Sequence, residues 1–241
     1  MVALIVELRY SPTNLSSRPL EVWEGHRVRP TLVRHNTEKV RPMSYMTFVQ
    51  YTGDTSNFDA DVALARRKYK ALGASRMTGS VALTGERAGS FVVASIWDTA
   101  DGFFDARPQL LGDAEIVAVM QARGMAPVQT SFTEVYGETG TPDGTFAVSV
   151  VVVVETPTPE ALQSLVSAAS DVMLAKGVNG MRFTRAIAAG QQSGIHIAIA
   201  YVDSLDSYLA ASAAAAMDSS FVAAMGNANA QIVQRQFNRM M

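Results

Sequence analysis

Gly89–Met120 reads GSFVVASIWDTADGFFDARPQLLGDAEIVAVM, and Gly194–Met225 reads GIHIAIAYVDSLDSYLAASAAAAMDSSFVAAM. Each is an apolar strand, an acidic residue ahead of a helix, and a helix, and the second lies 105 residues after the first. At that constant offset Gly85 meets Gly190, Asp98 meets Asp203, Phe103 meets Tyr208 and Asp113 meets Asp218. The match runs on through Met120 with Met225, Gln129 with Gln234 and Phe132 with Phe237, without a gap. A register held over that length marks an internal duplication, and it decides the fold.

Working outward, Tyr45–Thr52 has strand composition, and Phe58–Leu72 carries an apolar stripe at three- and four-residue spacing, closed by Gly73. Arg76–Leu83 and Ser90–Trp97 are expected as strands joined by the Gly-rich Thr84–Gly89 hairpin. Asp98 or Thr99 then caps a helix that Pro108 is expected to break or kink, and a second piece covers Asp113–Arg123. Val128–Tyr136 is the fourth strand. The second unit repeats this order with strands Thr145–Glu155, Gly180–Ala188, Ile195–Val202 and Gln231–Met241. Its helices run from the Thr158 cap to Lys176, over Leu205–Met217 after Ser204, and over Ser219–Met225. The organisation expected is therefore an arm at 1–43, a first unit at 44–137, a linker at 138–144 and a second unit at 145–241.

The arm differs from the rest of the chain. Residues 1–43 hold seven of the 20 Lys and Arg residues, two of the three His (His26 and His35) and only four acids. With four prolines and no periodicity it is expected to be disordered, or to precede a natural start at Met43 or Met46. Over the whole chain the net charge is −2, which gives no basis for a nucleic-acid surface. No apolar run approaches the roughly 20 residues of a membrane helix, and a cytoplasmic location is expected. The absence of cysteine removes disulfides, thiolate metal sites and a cysteine nucleophile.

The order βαββαβ is that of the ferredoxin-like split βαβ. Each such sheet has helices on one face and an open face that must be buried. The fold expected is α+β: two tandem ferredoxin-like units whose antiparallel sheets pair into a pseudo-dimeric barrel within one chain. FVVASIWDTADGFFDA, with Trp97, Asp98, Thr99 and Phe103–Phe104, resembles the strand-to-helix stretch of the dimeric α/β-barrel superfamily. The nearest likeness is to its antibiotic-biosynthesis-monooxygenase-like members; Asp203, Ser204 and Tyr208 repeat it more weakly. The resemblance implies a small-molecule-binding barrel, with a cofactor-independent monooxygenase or isomerase of a planar aromatic, polyketide-like substrate as the activity. It also admits a non-catalytic stress-type or accessory barrel with a self-filled core. Haem-degrading relatives carry a His on the helix after the Trp. Asp105, Ala106 and Arg107 stand there instead, so no cofactor is expected.

Strand alternation assigns candidate site residues. The aliphatic set Val92, Ala94 and Ile96, with Ile195, Ile197 and Ile199, is expected to pack on the helices. The opposite set, Phe91, Val93, Ser95 and Trp97 with His196, Ala198, Ala200 and Val202, is expected to line a cavity. His196 is then either a satisfied buried imidazole or a general base, since imidazole titrates near neutrality. Trp97, with Phe91 and Ser95, would form the wall for a small hydrophobic or aromatic ligand. Asp98 and Asp203 read as helix caps, and the directions of Arg76, Arg182 and Arg185 stay open. Glu134 and Arg239, matched by the offset, are the candidates for opposite charges at a seam. Three His, two of them in the arm, suggest no metal-ligand spacing.

Overall fold

The computed structural model describes residues 44–56 and 58–241; the expectations for the arm at 1–43 lie outside the described residues. The order is β1 (Ser44–Thr52), α1 (Asp59–Ala71), β2 (Arg76–Ala82), β3 (Phe91–Trp97), α2 (Ala100–Gly112), α3 (Ala114–Ala122) and β4 (Ala126–Gly140). The second half is β5 (Phe146–Val154), α4 (Pro159–Leu174), β6 (Gly180–Ala188), β7 (His196–Val202), α5 (Leu205–Met217), α6 (Ser219–Asn227) and β8 (Ala230–Met240). A short 3-10 turn, Gly190–Gln192, lies in the β6–β7 hairpin. The 105-residue offset maps β3, α2 and α3 onto β7, α5 and α6 end for end. Asp113 and Asp218 do the same work at α3 and α6, each side chain accepting from two backbone N–H groups of the first turn.

The strands close into one barrel in the order β1-β3-β2-β8-β5-β7-β6-β4. Within each unit the order is that of the ferredoxin-like sheet, and the free edge strand of each unit pairs with the other unit. Closure leaves no open sheet edge. The two seams differ. β4 and β6 are in register over eight residue pairs, whereas β2 and β8 match over three. The longer seam exists because β4 continues through residues expected to be linker, reaching Gly140.

Local differences from expectation have local causes. α2 runs through Pro108 to Gly112, since a proline there forfeits one helical hydrogen bond while the buried Phe103, Ala106 and Leu110 hold the helix to the sheet. Thr99, rather than Asp98, caps α2 by accepting from Gly102 N at 3.1 Å. Asp203 also does not cap; it accepts from Thr145 N at 3.2 Å and Asn179 Nδ2 at 3.1 Å. Across β2 and β6 the equivalence is 104 residues, because Arg76 pairs with Ile96 while Gly180 pairs with Tyr201. Glu134 meets Arg185 at 2.8 Å rather than Arg239.

Strand alternation splits the core into an inner face and a helix-covered face, and the assignment is the reverse of the one expected. Phe91, Val93 and Trp97 pack with Phe58, Val62, Tyr69 and Phe103 beneath α1 and α2. Ala200 and Val202 pack with Val166, Met173 and Tyr208 beneath α4 and α5. Ala94 and Ile96, with Ile197 and Ile199, face the barrel lumen. No single described helix is long and apolar enough to cross a membrane.

Candidate functional site

Each unit has a pocket between its sheet and its helices, and the pockets differ at two equivalent pairs, Gly79 with Phe183 and Phe91 with His196. In the first unit the Phe91 ring packs edge-on to Phe58 at 4.1 Å and against Tyr51 at 6.4 Å. Gly79 makes room for it: a Cβ there would stand 2.8 Å from Val62 and 3.0 Å from the Phe91 ring. About 80 Å³ remains. In the second unit the pair is inverted. Phe183 stands at the place of Gly79, and the smaller His196 at the place of Phe91. The space left, about 140 Å³, is bordered by Tyr136, Met173, Met181, Phe183, His196 and Tyr208.

His196 is 3% exposed. Its Nδ1 is 3.2 Å from Tyr136 Oη, with the two rings edge to face at 5.5 Å. Nε2 has no protein partner among the described residues. Tyr136 reaches this position through a β-bulge: Val135 pairs with Thr184 and Gly137 with Phe183, so Tyr136 is the extra residue and turns onto the helix-covered face. Burial, and then the nearby Arg185 cation, hold the imidazole below its ordinary pKa, so it is neutral at pH 7. Burial pushes the Tyr136 phenol up, so it stays protonated. If the imidazole proton sits on Nδ1 and is donated to Tyr136 Oη, Nε2 is a free acceptor on the cavity wall. Across the cavity, burial raises Tyr208, opposed by Arg235 and by hydrogen bonds from Arg235 and Ser212.

The sequence-derived candidates do not come together. Trp97 donates Nε1–H to Ser95 Oγ at 2.8 Å, and Ser95 Oγ also lies 2.7 Å from Thr47 Oγ1. Trp97 sits among Tyr69 and Phe103 in the closed packing of the first unit, at 6.2 and 5.9 Å. Phe91 lines the first unit's pocket and His196 the second's, so no cavity is bordered by both His196 and Trp97. Tyr136 was missed by sequence reasoning: it is the last residue of the expected fourth strand, and nothing in alternation signals a bulge. The Arg directions are settled. Arg182 turns to the lumen side, donating to Glu138 at 2.7 Å and Tyr201 Oη at 3.1 Å; Arg76 faces Asp143 at 3.7 Å.

No protein-family model matches the chain, and no curated protein matches it by sequence. Solved structures do match. An anthrone oxidase-like protein aligns at TM-score 0.54 and 14% identity, over 82% of this chain and 91% of its own. A novel heme-binding protein from Thermus thermophilus aligns at TM-score 0.54 and 8% identity, over 82% and 91%. A mutant chlorite dismutase from Candidatus Nitrospira defluvii aligns at TM-score 0.52 and 11% identity, over 82% and 90%. A haem does not fit the residues present. Neither helix-covered pocket is macrocycle-sized, His196 Nδ1 is already engaged, and the helix positions Asp105, Ala106 and Arg107 and their equivalents Ala210, Ala211 and Ser212 bring no imidazole. At these identities the likeness is one of fold: the chain shares the α/β-barrel architecture of these proteins, with both halves of the barrel in one polypeptide.

Proposed function

We propose that the pocket beneath α4, α5 and α6 binds a small planar aromatic molecule and that His196 acts on it as a base. The observation that carries this reading is the Phe91-to-His196 exchange between otherwise equivalent positions. It distinguishes one pocket from the other and places in it a neutral imidazole beside a phenol. Its apolar walls and few polar groups are those of a ligand site. The fold likeness to an anthrone oxidase-like protein supports the substrate class. Nε2 would take the acidic C–H proton of a benzylic methylene flanked by a carbonyl-conjugated ring. The carbanion, delocalised over the ring system, would then react with dioxygen as co-substrate. Carbon–oxygen bond formation followed by loss of water balances as one methylene and one dioxygen giving one carbonyl and one water. Return of the proton to another carbon would make the same site an isomerase.

The test is oxygen uptake and calorimetric binding with an anthrone as probe. Wild type should consume oxygen in proportion to added anthrone. His196→Ala should lower turnover by about 10²–10⁴-fold, the range for loss of a general base, in a protein that remains folded. Full activity in His196→Ala would refute the base role. A second reading, a non-catalytic accessory barrel, is favoured by the cavity's size, below the roughly 300 Å³ at which drug-sized ligand sites begin; absence of any binding would select it.

A further inference from the structure

The barrel lumen holds a third cavity, on the opposite face of the strands from His196, of about 240 Å³. At about 30 Å³ per water molecule, that is the space of roughly eight waters. Its wall has two characters. β1, β3 and β7 contribute Phe48, Ala94, Ile197 and Ile199. β2, β5 and β8 contribute Thr78, Ser80, Ser149 and Gln236. Polar side chains at inward positions are costly unless something hydrogen-bonds them. Thr78, Ser80 and Ser149 have no side-chain partner among the described residues. Gln236 donates only its Nε2, to Asn238 Oδ1 at 2.9 Å, so its Oε1 is unspent. Ser149 and Gln236 stand directly opposite one another on β5 and β8. Four unspent polar groups therefore stand on three neighbouring strands, with Ala94, Ile197 and Ile199 on the strands flanking them and Phe48 of β1 across the barrel.

The charge pattern narrows the occupant. Among the described residues, the only charged ones bordering the cavity are Glu86 and Arg87, neighbours in the β2–β3 hairpin at its mouth. Arg87 donates to the amide oxygens of Gln50 and Gln129, and Gln129 Nε2 reaches Gln192 Oε1 at 3.1 Å in the equivalent hairpin of the other unit. The mouth is thus framed by both hairpins and carries no net charge; deeper in, Arg182 lies behind Tyr201 without bordering the cavity and is paired with Glu138. An ion would lose its hydration there without a counter-charge. A molecule with hydroxyls on one edge and C–H groups on its face meets both walls.

We propose that the lumen binds a small neutral polyhydroxylated molecule of monosaccharide size. Its hydroxyls engage Thr78, Ser80, Ser149 and Gln236, and its C–H face lies on Phe48. This site is independent of the His196 pocket. The full chain labelled with ¹³C-methyl methionine offers probes in both places. Met46 and Met240 border the lumen; Met173, Met181 and Met225 border the His196 pocket. Titration with glucose, myo-inositol and glycerol should produce saturable shifts at Met46 and Met240 with at least one of them, leaving the other three still. Glucuronate should bind at least about tenfold more weakly, the loss expected for burying an unpaired charge. Ser149→Leu, which fills the cavity, should abolish the shifts; Thr78→Val, nearly isosteric but without the hydroxyl, serves the same purpose should the first variant fail to fold. No saturable shift with any neutral probe, tighter binding of glucuronate, or shifts that survive a folded variant would overturn the proposal.

Discussion

At the scale of single residues, the molecule turns on what stands at positions 91 and 196. Phe91 completes a packed layer with Phe58 and Tyr51, while His196 replaces a ring of similar shape by one that titrates. Because its folded pKa is depressed by burial and by Arg185, the unfolded chain binds the proton more readily. The resulting stability is complete above the unfolded value near 6.5 and is lost as pH falls from there through the lower folded value. His196→Phe should abolish that slope, and denaturant melts from pH 7.5 to 5 compare the two directly; equal slopes would show that His196 protonates freely in the fold. Thr184 offers a second test. Its Oγ1 is fully buried without a partner, so Thr184→Val should be neutral or stabilising by about 1 kcal/mol. The exchange at 91 and 196 was legible in the sequence as the point where the two halves part. Its surroundings were not, because both faces of β3 and β7 are apolar and alternation separates faces without saying which one meets helices. Trp97 was attractive as a cavity wall, yet its N–H is spent on Ser95 within its own strand.

At the scale of elements, the repeat holds wherever local chemistry sets the backbone. Gly89 and Gly194 both adopt the left-handed region, at φ 83° and 88°, and both units place Asp caps before the third helix. It slips to 104 residues across β2 and β6, where Gly79 and Phe183 come into equivalence, and to 101 across β1 and β5, since Tyr45 pairs with Trp97 and Phe146 with Val202. Gly79→Ala should cost about 1–3 kcal/mol by overpacking against Val62 and Phe91. Phe91→His in the same chain should relieve much of that cost, since the pair then resembles the second unit. A double-mutant cycle by chemical denaturation measures this; strict additivity would show that the two positions do not share space. Boundaries were the less legible part. The β4 extension to Gly140 crosses residues rich in Gly and Thr, and it forms because β6 offers an unpaired edge rather than because the segment favours a strand.

At the scale of the whole molecule, duplication closes the barrel but does not make its halves alike. The β2–β8 seam, short in register, is extended only by bonds such as Leu83 N to Phe237 O at 2.7 Å and Met241 N to Gly79 O at 2.9 Å. Hydrogen exchange should therefore be faster at this seam than along β4–β6; equal protection would mean the barrel opens only globally. The central claim is that one of two equivalent helix-covered pockets, the one holding His196, is the ligand site. Methionines report on all three cavities: Met173, Met181 and Met225 on the His196 pocket, Met120 and Met125 on its equivalent in the first unit, Met46 and Met240 on the lumen. The decisive measurement is a ¹³C-methyl methionine titration with an anthrone. The account predicts saturable shifts at Met173, Met181 and Met225 alone, lost in His196→Phe; shifts centred on Met120 and Met125, or on Met46 and Met240, would contradict it.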